Sequence, residues 1–320
     1  MPVISAKLAW LEEHEDEYNV IFLGSSRTHH QVLPDTFDSE MAKGGQEVRS
    51  FNLGAGGMRP PEDTYVLEKL LSRRTKPLRL VVVECNPVRL RLTPQLRDTV
   101  RAVYWHDNTR MGAIICSVFF NDPKKRTWEK RFQKTAEVWP DFSEHIGYWV
   151  SRNSNLGRGH ELLTEWAGVG QSPMLPAADN AGRLDGFQPY PQAEPMNAEK
   201  YAAQIAKYEK ELSEMRANPA KWNADDMVSL EELRTKRRFI ERTGARMVLV
   251  IPPYIGGHLF RPNLAAGVLP VLDFSSYEKY PELFTYEHRA DVGNTNMRGS
   301  QIYTRLLARE LLVSLQKEEH

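Results

Sequence analysis

Short apolar runs that end in small or polar residues are the feature that most limits the fold of this chain. Three such runs come early, over residues 20–24, 48–53 and 78–84, and a fourth spans 245–253. Runs of this length and composition are typical of buried strands. The second and third are separated by "PPEDTYVLEKLLSRR", whose initial prolines, early acidic residues and late arginines favour a helix. Strand, helix and strand at this spacing predict a parallel sheet with right-handed crossovers.

The strand pattern stops after residue 87 and resumes at 245 with "ARMVLVIPP". An interval this long is more than a loop within a compact domain. "VLPVLDFS" follows as a weaker strand, and "RGSQIYTRLLARELLVSL" predicts an amphipathic helix near the chain end. We therefore expect one α/β domain formed by residues 1–87 and 245–320, divided by a mainly helical insertion over 88–244.

Within the insertion, "NAEKYAAQIAKYEKELSEMRAN" places apolar residues in alternating steps of four and three, which is typical of one face of a helix. The residues of this stripe are Tyr201, Ile205, Tyr208, Leu212 and Met215. Two interpretations are open. The stripe packs against the core of the main domain, or it forms a lid or a surface that docks a protein partner.

Composition excludes several classes of protein. Of the 320 residues, 41% are apolar, which is enough for a full core and too many for a disordered chain. Basic and acidic residues balance at 42 each, so no overall field favours nucleic acid, and no nucleic-acid partner is expected. Cys85 and Cys116 lie far apart in apolar runs and are interpreted as small buried hydrophobes.

Targeting signals are not evident in the sequence. The first residues, "MPVISAKLAWLEEHEDEY", lack the basic start and apolar centre of a signal peptide. The apolar run "GAIICSVFF" has about half the length that a spanning helix needs, so we expect no membrane span. The compartment stays open: cytoplasmic if Met1 is the native start, extracytoplasmic if an N-terminal anchor was removed.

Small and polar residues follow each predicted strand at its carboxyl end, where open α/β sheets bind their ligands. Gly24, Ser25 and Ser26 follow the first strand, "NLGAGG" the second and "ECNP" the third, while "DVGNTNMRG" precedes the final helix. Acyl-transfer chemistry requires a nucleophile, donors for the oxyanion, and a base with a residue that orients it. A serine at a strand-to-helix turn, glycine amides and an asparagine side chain are suited to these tasks.

These four blocks, in this order, resemble the SGNH hydrolase family of GDSL-type esterases. The resemblance is to its acyl-transfer and polysaccharide-acetylation branches in particular, which carry "GSSR" at the nucleophile. It covers the early blocks and the chain end, and not the insertion. It implies a flavodoxin-like three-layer α/β/α domain that hydrolyses or transfers the acyl group of a sugar or lipid ester. A small-molecule or glycan acyl ester is therefore the expected partner, and no cofactor is expected.

The resemblance assigns roles to individual residues. Ser26 matches the nucleophile, and Gly57 matches the oxyanion glycine. Asn86 is the candidate for the oxyanion asparagine, although the surrounding Gly-x-Asn-Asp pattern is missing. Asp291 matches the acid of the triad. The catalytic histidine is expected three residues later, where this chain has Asn294.

Asparagine has no titratable side chain, so Asn294 cannot take a proton from Ser26 near neutral pH. Three explanations are open. The chain is a pseudoenzyme whose pocket binds a glycan or a protein, Asn294 was introduced to trap a ligand, or another histidine supplies the base. The histidines near these blocks are His29, His30 and His288. Each also has an ordinary interpretation as a turn residue, a capping group or a surface imidazole.

Two further residues are candidates for contact with the substrate. His258 follows the 245–253 strand in a glycine-rich stretch, and Arg27 stands beside Ser26, where it either binds an anionic substrate group or pairs with an acid of the insertion. "GAGG" fits a dinucleotide-binding turn poorly, because the third glycine and the helix start are misplaced. The pair His29–His30 has no carboxylate or cysteine at ligand spacing, so no metal site is predicted.

Overall fold

The computed structural model describes residues 2–93, 96–97, 99–120, 128–154, 185–190, 197–217, 227–255 and 271–316. Its centre is a five-stranded parallel sheet with the order β2-β1-β3-β4-β5. The strands are β1 (Val20–Leu23), β2 (Ser50–Asn52), β3 (Leu80–Glu84), β4 (Arg246–Ile251) and β5 (Val271–Asp273). Each of the five predicted strand runs contains one of these strands, and the observed strands are shorter at their ends. The α/β class and the parallel sheet are thus confirmed.

Ten α-helices occur within the described ranges. They are α1 (Pro2–Glu13), α2 (Ser26–Gln31), α3 (Pro34–Lys43), α4 (Glu62–Arg73), α5 (Val100–Trp105), α6 (Asn108–Phe120), α7 (Trp128–Asn153), α8 (Ala198–Ala217), α9 (Met227–Glu241) and α10 (Met297–Gln316). The helices predicted between the second and third strands and near the chain end are confirmed as α4 and α10. The sequence reasoning did not predict α1.

Alternate side chains of the strands point to opposite faces of the sheet, and each face has its own apolar core. Ile21 and Val81 belong to a core that also contains residues of α1, α4 and α9. Phe22 and Val82 belong to a second core with residues of α3, α8 and α10. Helices on both faces of a central parallel sheet make three layers, the arrangement of doubly wound α/β folds.

The apolar stripe of α8 packs into the second core. Tyr201, Tyr208 and Leu212 are buried, and Ile205 is half-buried. The hydroxyl groups of both tyrosines donate to backbone carbonyls in the segment before α10. The predicted burial of these four residues is confirmed as packing within the chain, while the Met215 side chain lies outside the described residues. Docking of a protein partner on the insertion stays a prediction.

Other parts of the 88–244 interval pack against the opposite face. Helix α9 contacts both α4 and β4, and it leads directly into β4 as a crossover helix does. Helices α6 and α7 contact each other, and α6 also contacts α9. Helices of the interval thus lie on both faces of the sheet and share its two cores, so the structure does not set the interval apart as a separate unit. The domain limits of 1–87, 88–244 and 245–320 stay a prediction.

Two smaller expectations concern single residues and membrane spans. Cys85 is buried as predicted, whereas Cys116 is exposed, so the interpretation of both cysteines as buried hydrophobes is wrong for Cys116. An apolar run that forms a helix has an outward face, and Cys116 lies on that face of α6. No helix in the described part of the chain is both long and apolar enough to cross a membrane.

Candidate functional site

A pocket of about 130 Å³ lies at the carboxyl edge of the sheet. Its lining includes Ser26, which follows β1, and Gly57, which follows β2. Asn86, which follows β3, and Asn294, which precedes α10, also line it. The carboxyl ends of neighbouring parallel strands meet at one edge, so residues far apart in sequence converge there. The structure thus brings together four of the residues that the sequence selects, one from each of the four blocks.

The nucleophile candidate sits on a tight turn between β1 and α2. Strands β1 and β3 pair with Leu23 opposite Val83, which places Gly24 beside Glu84. A Cβ atom on Gly24 would lie 2.1 Å from the Thr28 hydroxyl and 2.4 Å from a Glu84 carboxylate oxygen. Only glycine permits this approach. The turn then delivers the next residues to the pocket.

The two serines of this turn have different surroundings. The Ser25 hydroxyl donates to the Glu84 carboxylate, with distances of 2.9 and 3.0 Å to the two oxygens, and also caps α2 by accepting from the Arg27 N–H. Ser26 is half-buried and lines the pocket, and its hydroxyl has no hydrogen bond to another described residue. Ser25 therefore shapes the turn, and Ser26 presents a hydroxyl to the pocket.

Glu84 organises this turn, and sequence reasoning did not select it. Its side chain is fully buried at the end of β3 and accepts from Ser25 and Thr28, while Arg27 lies 2.7 Å away as its ion-pair partner. Burial by itself would raise the Glu84 pKa, but the charge of Arg27 and the hydrogen bonds together lower it. An acidic residue directly after four apolar residues in "LVVVE" was the signal that could have found it.

Arg27 thus pairs with Glu84 at the end of β3 instead of with an acid of the insertion. Its guanidinium also lies over the Tyr254 ring, 4.8 Å from the centroid. A second hydrogen bond runs from Arg27 Nη2 to Asn86 Oδ1, over 2.7 Å. The guanidinium only donates, so this contact fixes which end of the Asn86 amide is the oxygen.

The opposite end of that amide is an unused donor. Asn86 is only 3% exposed, and its Nδ2 has no hydrogen-bond partner among the described residues. Leaving a buried donor without a partner costs about 1–3 kcal/mol. Asn86 lines the pocket, so a bound ligand whose oxygen came within hydrogen-bond distance of Nδ2 would remove this cost. This is the property that an oxyanion donor requires.

Gly57 brings backbone close to the same pocket. Its φ is 72°, a left-handed conformation that favours glycine, and a Cβ atom there would lie 3.2 Å from the Thr93 hydroxyl. A larger residue would be strained at this position. The backbone of the turn after β2 can therefore approach a bound ligand without a side chain in the way.

The loop before α10 holds Asp291 in a dense set of hydrogen bonds. Its Oδ1 accepts from the Gly293 and Asn294 N–H groups, each over 2.6 Å, and Asn294 Nδ2 lies 3.2 Å from both carboxylate oxygens. The Tyr190 hydroxyl donates to the other oxygen. Burial, followed by the hydrogen bond to Asp291, raises the Tyr190 pKa to about 12. The side chain of Asn294 thus occupies the contact with Asp291 that a triad histidine would make.

His29 and His30 lie beside the site with their nitrogens directed elsewhere. His29 Nδ1 accepts from Lys7 Nζ over 3.0 Å, and its Nε2 donates to the Gln188 side chain over 2.9 Å. Burial, and then the Lys7 charge, lower the His29 pKa to about 2. His30 Nδ1 donates to the Gln188 carbonyl, and burial lowers its pKa as well. Neither imidazole lines the pocket.

The two remaining histidine candidates are placed differently. His288 Nδ1 lies 2.7 Å from the Thr285 hydroxyl and 2.6 Å from the Glu282 carbonyl, on a 3₁₀ turn that does not line the pocket. His258 lies outside the described residues. Where the structure describes the chain, therefore, no histidine reaches the pocket.

Residues 185–190 tie three parts of the site together. The Asp185 carbonyl accepts from the Asn52 N–H at the end of β2, over 2.8 Å. Gln188 contacts both histidines of α2, and Tyr190 contacts the loop before α10. None of these side chains was selected from the sequence, because a segment rich in glycine and proline shows no periodicity.

Comparison with protein-family models, with curated proteins and with solved structures gave no match. In the described ranges, no group of three or more His, Cys, Asp or Glu side chains is arranged to hold a metal ion.

Proposed function

We propose that this chain is a serine esterase or O-acyltransferase of SGNH type that acts on an acyl ester of a sugar or lipid. Ser26 is the nucleophile, Gly57 and Asn86 hold the oxyanion, and Asp291 orients whatever base the chain supplies, since the Asn294 amide does not accept the proton. The strand order 2-1-3-4-5, which is that of flavodoxin-like sheets, supports this reading. The observation that supports the proposal is that Asn86, whose buried Nδ2 has no hydrogen-bond partner among the described residues, lines the same pocket as Ser26.

The reaction follows from this arrangement. Ser26 Oγ forms a bond to the ester carbonyl carbon while its proton passes to a base, and the carbonyl oxygen becomes an oxyanion facing Asn86 and Gly57. When the oxyanion collapses, the bond to the alcohol breaks and the alcohol leaves with the proton. Water or an acceptor hydroxyl then attacks the acyl-serine, and the acid or the new ester is released.

Hydrolysis of a neutral ester such as 4-nitrophenyl acetate tests the proposal directly. Ser26→Ala should abolish turnover, and Asn86→Ala should lower kcat by about 10²–10³-fold, the effect of removing one oxyanion donor. Ser25→Ala would perturb the turn as well, so Asn153→Ala, at an exposed position of α7 away from the pocket, serves as the matched control for Asn86→Ala and should leave kcat unchanged. Turnover that is unchanged in Ser26→Ala would exclude Ser26 as the nucleophile.

Binding without turnover is the second candidate function, and Asn294 favours it. Asn294 is 8% exposed and donates to Asp291, so the position of the base is filled by a group that cannot accept a proton. In this case the chain is a pseudoenzyme whose pocket binds a glycan or another protein. Retained binding of an acylated glycan by the natural chain, without release of acetate or formation of acyl-Ser26, would favour this second function.

A further inference from the structure

The pocket carries more positive charge than the proposed chemistry uses. Its lining includes the three arginines Arg27, Arg59 and Arg89, and no Asp or Glu side chain is among the described residues that line it. Arg27 is paired with the buried Glu84, over 2.7 Å. Arg59 and Arg89 have no acidic partner within the described residues. Two unneutralised guanidinium groups therefore face the same small space.

The placement of these two arginines relates them to the oxyanion residues. Arg59 follows Gly57 by two residues, and Arg89 follows Asn86 by three. Both arginines, together with Gly57, also line a second cavity of about 20 Å³. Both arginines thus share two cavities with Gly57, one of the residues to which the proposed function assigns the oxyanion.

The positive charges of Arg27, Arg59 and Arg89 repel one another, and the single Glu84 carboxylate, which pairs with Arg27 and also acts on Arg59, offsets them only in part. Arg59 is half-buried, and burial, followed by the charges of Arg89 and Arg27, lowers its pKa. Such a cluster is unfavourable while the pocket is empty, and an anion between the guanidinium groups removes the repulsion. A guanidinium also binds two oxygens of a carboxylate, phosphate or sulfate with parallel hydrogen bonds.

We propose that Arg59 and Arg89 bind an anionic group of the ester substrate. This group is a carboxylate, phosphate or sulfate that lies close to the acyl group. The substrate is then an acylated acidic sugar or an acylated anionic lipid instead of a neutral ester. The statement that the anion belongs to an ester rests on the proposed function. The anion site itself requires only the two arginines.

Binding of inorganic phosphate and of sulfate, measured by calorimetry at low ionic strength, tests the anion site without any turnover. The natural chain and Ser26→Ala should bind alike. The double variant Arg59→Gln, Arg89→Gln should weaken binding at least about tenfold, because both charged, bidentate donors are lost. Arg305→Gln, on an exposed face of α10, is the matched control and should leave the affinity unchanged.

Arg59→Lys distinguishes the effect of the positive charge from that of the guanidinium geometry. As a conservative single substitution, it also provides a test if the double variant does not fold. It keeps the charge and loses the planar fork, so the affinity for phosphate should fall between those of the natural chain and the double variant. No binding of phosphate or sulfate to the natural chain, or equal binding to the natural chain and the folded double variant, would overturn the proposal.

A pair of esters then distinguishes a free anion from one carried by the substrate. With Ser26→Ala, an acetylated glucuronate should bind at least about tenfold more tightly than the matching acetylated glucose, and the double arginine variant should remove the difference. Equal affinity for the two esters would overturn the assignment of substrate class. Arginine-dependent binding of phosphate without Ser26-dependent turnover would refute the proposed function and leave the anion site standing.

Discussion

The side-chain amide of Asn294 lies 3.2 Å from each carboxylate oxygen of Asp291, in a loop whose backbone N–H groups already fix that carboxylate. The Asp291 carboxylate is therefore fixed in place, and the Asn294 amide contacts both of its oxygens. Gln31 donates to Asn294 Oδ1 over 3.3 Å and to the Gly293 carbonyl over 3.0 Å, which steadies the loop from the side of α2. The backbone need not move for a different side chain to contact Asp291.

Asn294→His should raise the turnover of a simple acetyl ester by at least about two decades, the lower end of general-base catalysis. The imidazole would lie between Asp291 and the pocket, and Asp291 would stabilise the imidazolium that forms. The measurement is the initial rate of hydrolysis at pH 7–8. Asn294→Gln is the matched control and should give no gain, because its amide does not titrate.

Adding Ser26→Ala to Asn294→His should remove the whole gain, because the imidazole then has no nucleophile to activate. Loss of the natural chain's own activity in a histidine variant would instead support a displaced base. If the natural chain already turns over the ester and His258→Ala, His29→Ala, His30→Ala or His288→Ala abolishes this activity, the role given to position 294 is wrong.

Glu84→Gln should lower the free energy of unfolding by about 3–5 kcal/mol, the range for removing one partner of a buried ion pair. The substitution keeps the shape but leaves Arg27 without its counter-charge, and it replaces one of the two oxygens that accept from Ser25 and Thr28 by an NH2 group, which only donates. Urea unfolding gives the value. Glu12→Gln, in the exposed pair with Arg73, is the control and should change stability by less than about 1 kcal/mol.

A double-mutant cycle on Glu84 and Arg27 provides a second test of this ion pair. If the charge of Arg27 is the reason for the loss, then Arg27→Met should be less harmful in the Glu84→Gln background than in the natural chain. Equal effects in both backgrounds would indicate that the two side chains act independently.

Stability should fall on acidification because of His29. Its pKa is about 2 in the folded chain and about 6.5 in the unfolded chain, so between these values the unfolded state binds the additional proton. The free energy of unfolding should therefore drop by about 2 kcal/mol through this residue alone between pH 7 and pH 5. Urea unfolding at the two pH values measures the drop.

His29→Gln should reduce that pH dependence by about the same 2 kcal/mol. A glutamine can still accept from Lys7 and donate to Gln188, so the folded state keeps its contacts. His14→Gln, at a half-buried position directly after α1, is the control. It should leave the contact between Lys7 and His29 in place. An unchanged slope in His29→Gln would show that other groups cause the acid sensitivity.

Gly24→Ala should destabilise the chain by about 1–3 kcal/mol and slow any reaction of Ser26. The new methyl group would lie 2.1–2.6 Å from atoms of Thr28 and Glu84, so the turn that carries Ser26 must shift. Gly147→Ala is a matched control, because a Cβ atom there meets nothing within 4 Å and its helix should gain about 0.5–1 kcal/mol. Thermal unfolding and Ser26 labelling by a fluorophosphonate measure the two effects.

The parts of the site that follow strands could be predicted from the sequence. Ser26, Gly57 and Asn86 each stand just beyond an apolar run, and the parallel sheet dictates that such positions meet. Arg59 was not selected as a site residue, because nothing local separates an arginine that lines a pocket from one in solvent. Glu84 was passed over because its partners belong to a different strand-to-helix turn.

Lys7 illustrates a further limit. It is fully buried and donates to the Asn52 and Gly54 carbonyls over 2.8 and 2.7 Å, in addition to contacting His29. A buried lysine is rare, and its partners lie more than twenty residues away, so neither periodicity nor spacing indicates the contact. Long-range polar contacts of this kind require the fold before they can be recognised.

Residues 185–190 have a consequence for the modularity of the chain. This short segment comes from the interval between the two halves of the sheet, yet it joins the end of β2, helix α2 and the loop that holds Asp291. The interval therefore cannot be removed or exchanged as an independent module. A chain shortened to residues 1–87 and 245–320 would lose the contacts through which residues 185–190 connect β2, α2 and the loop that holds Asp291.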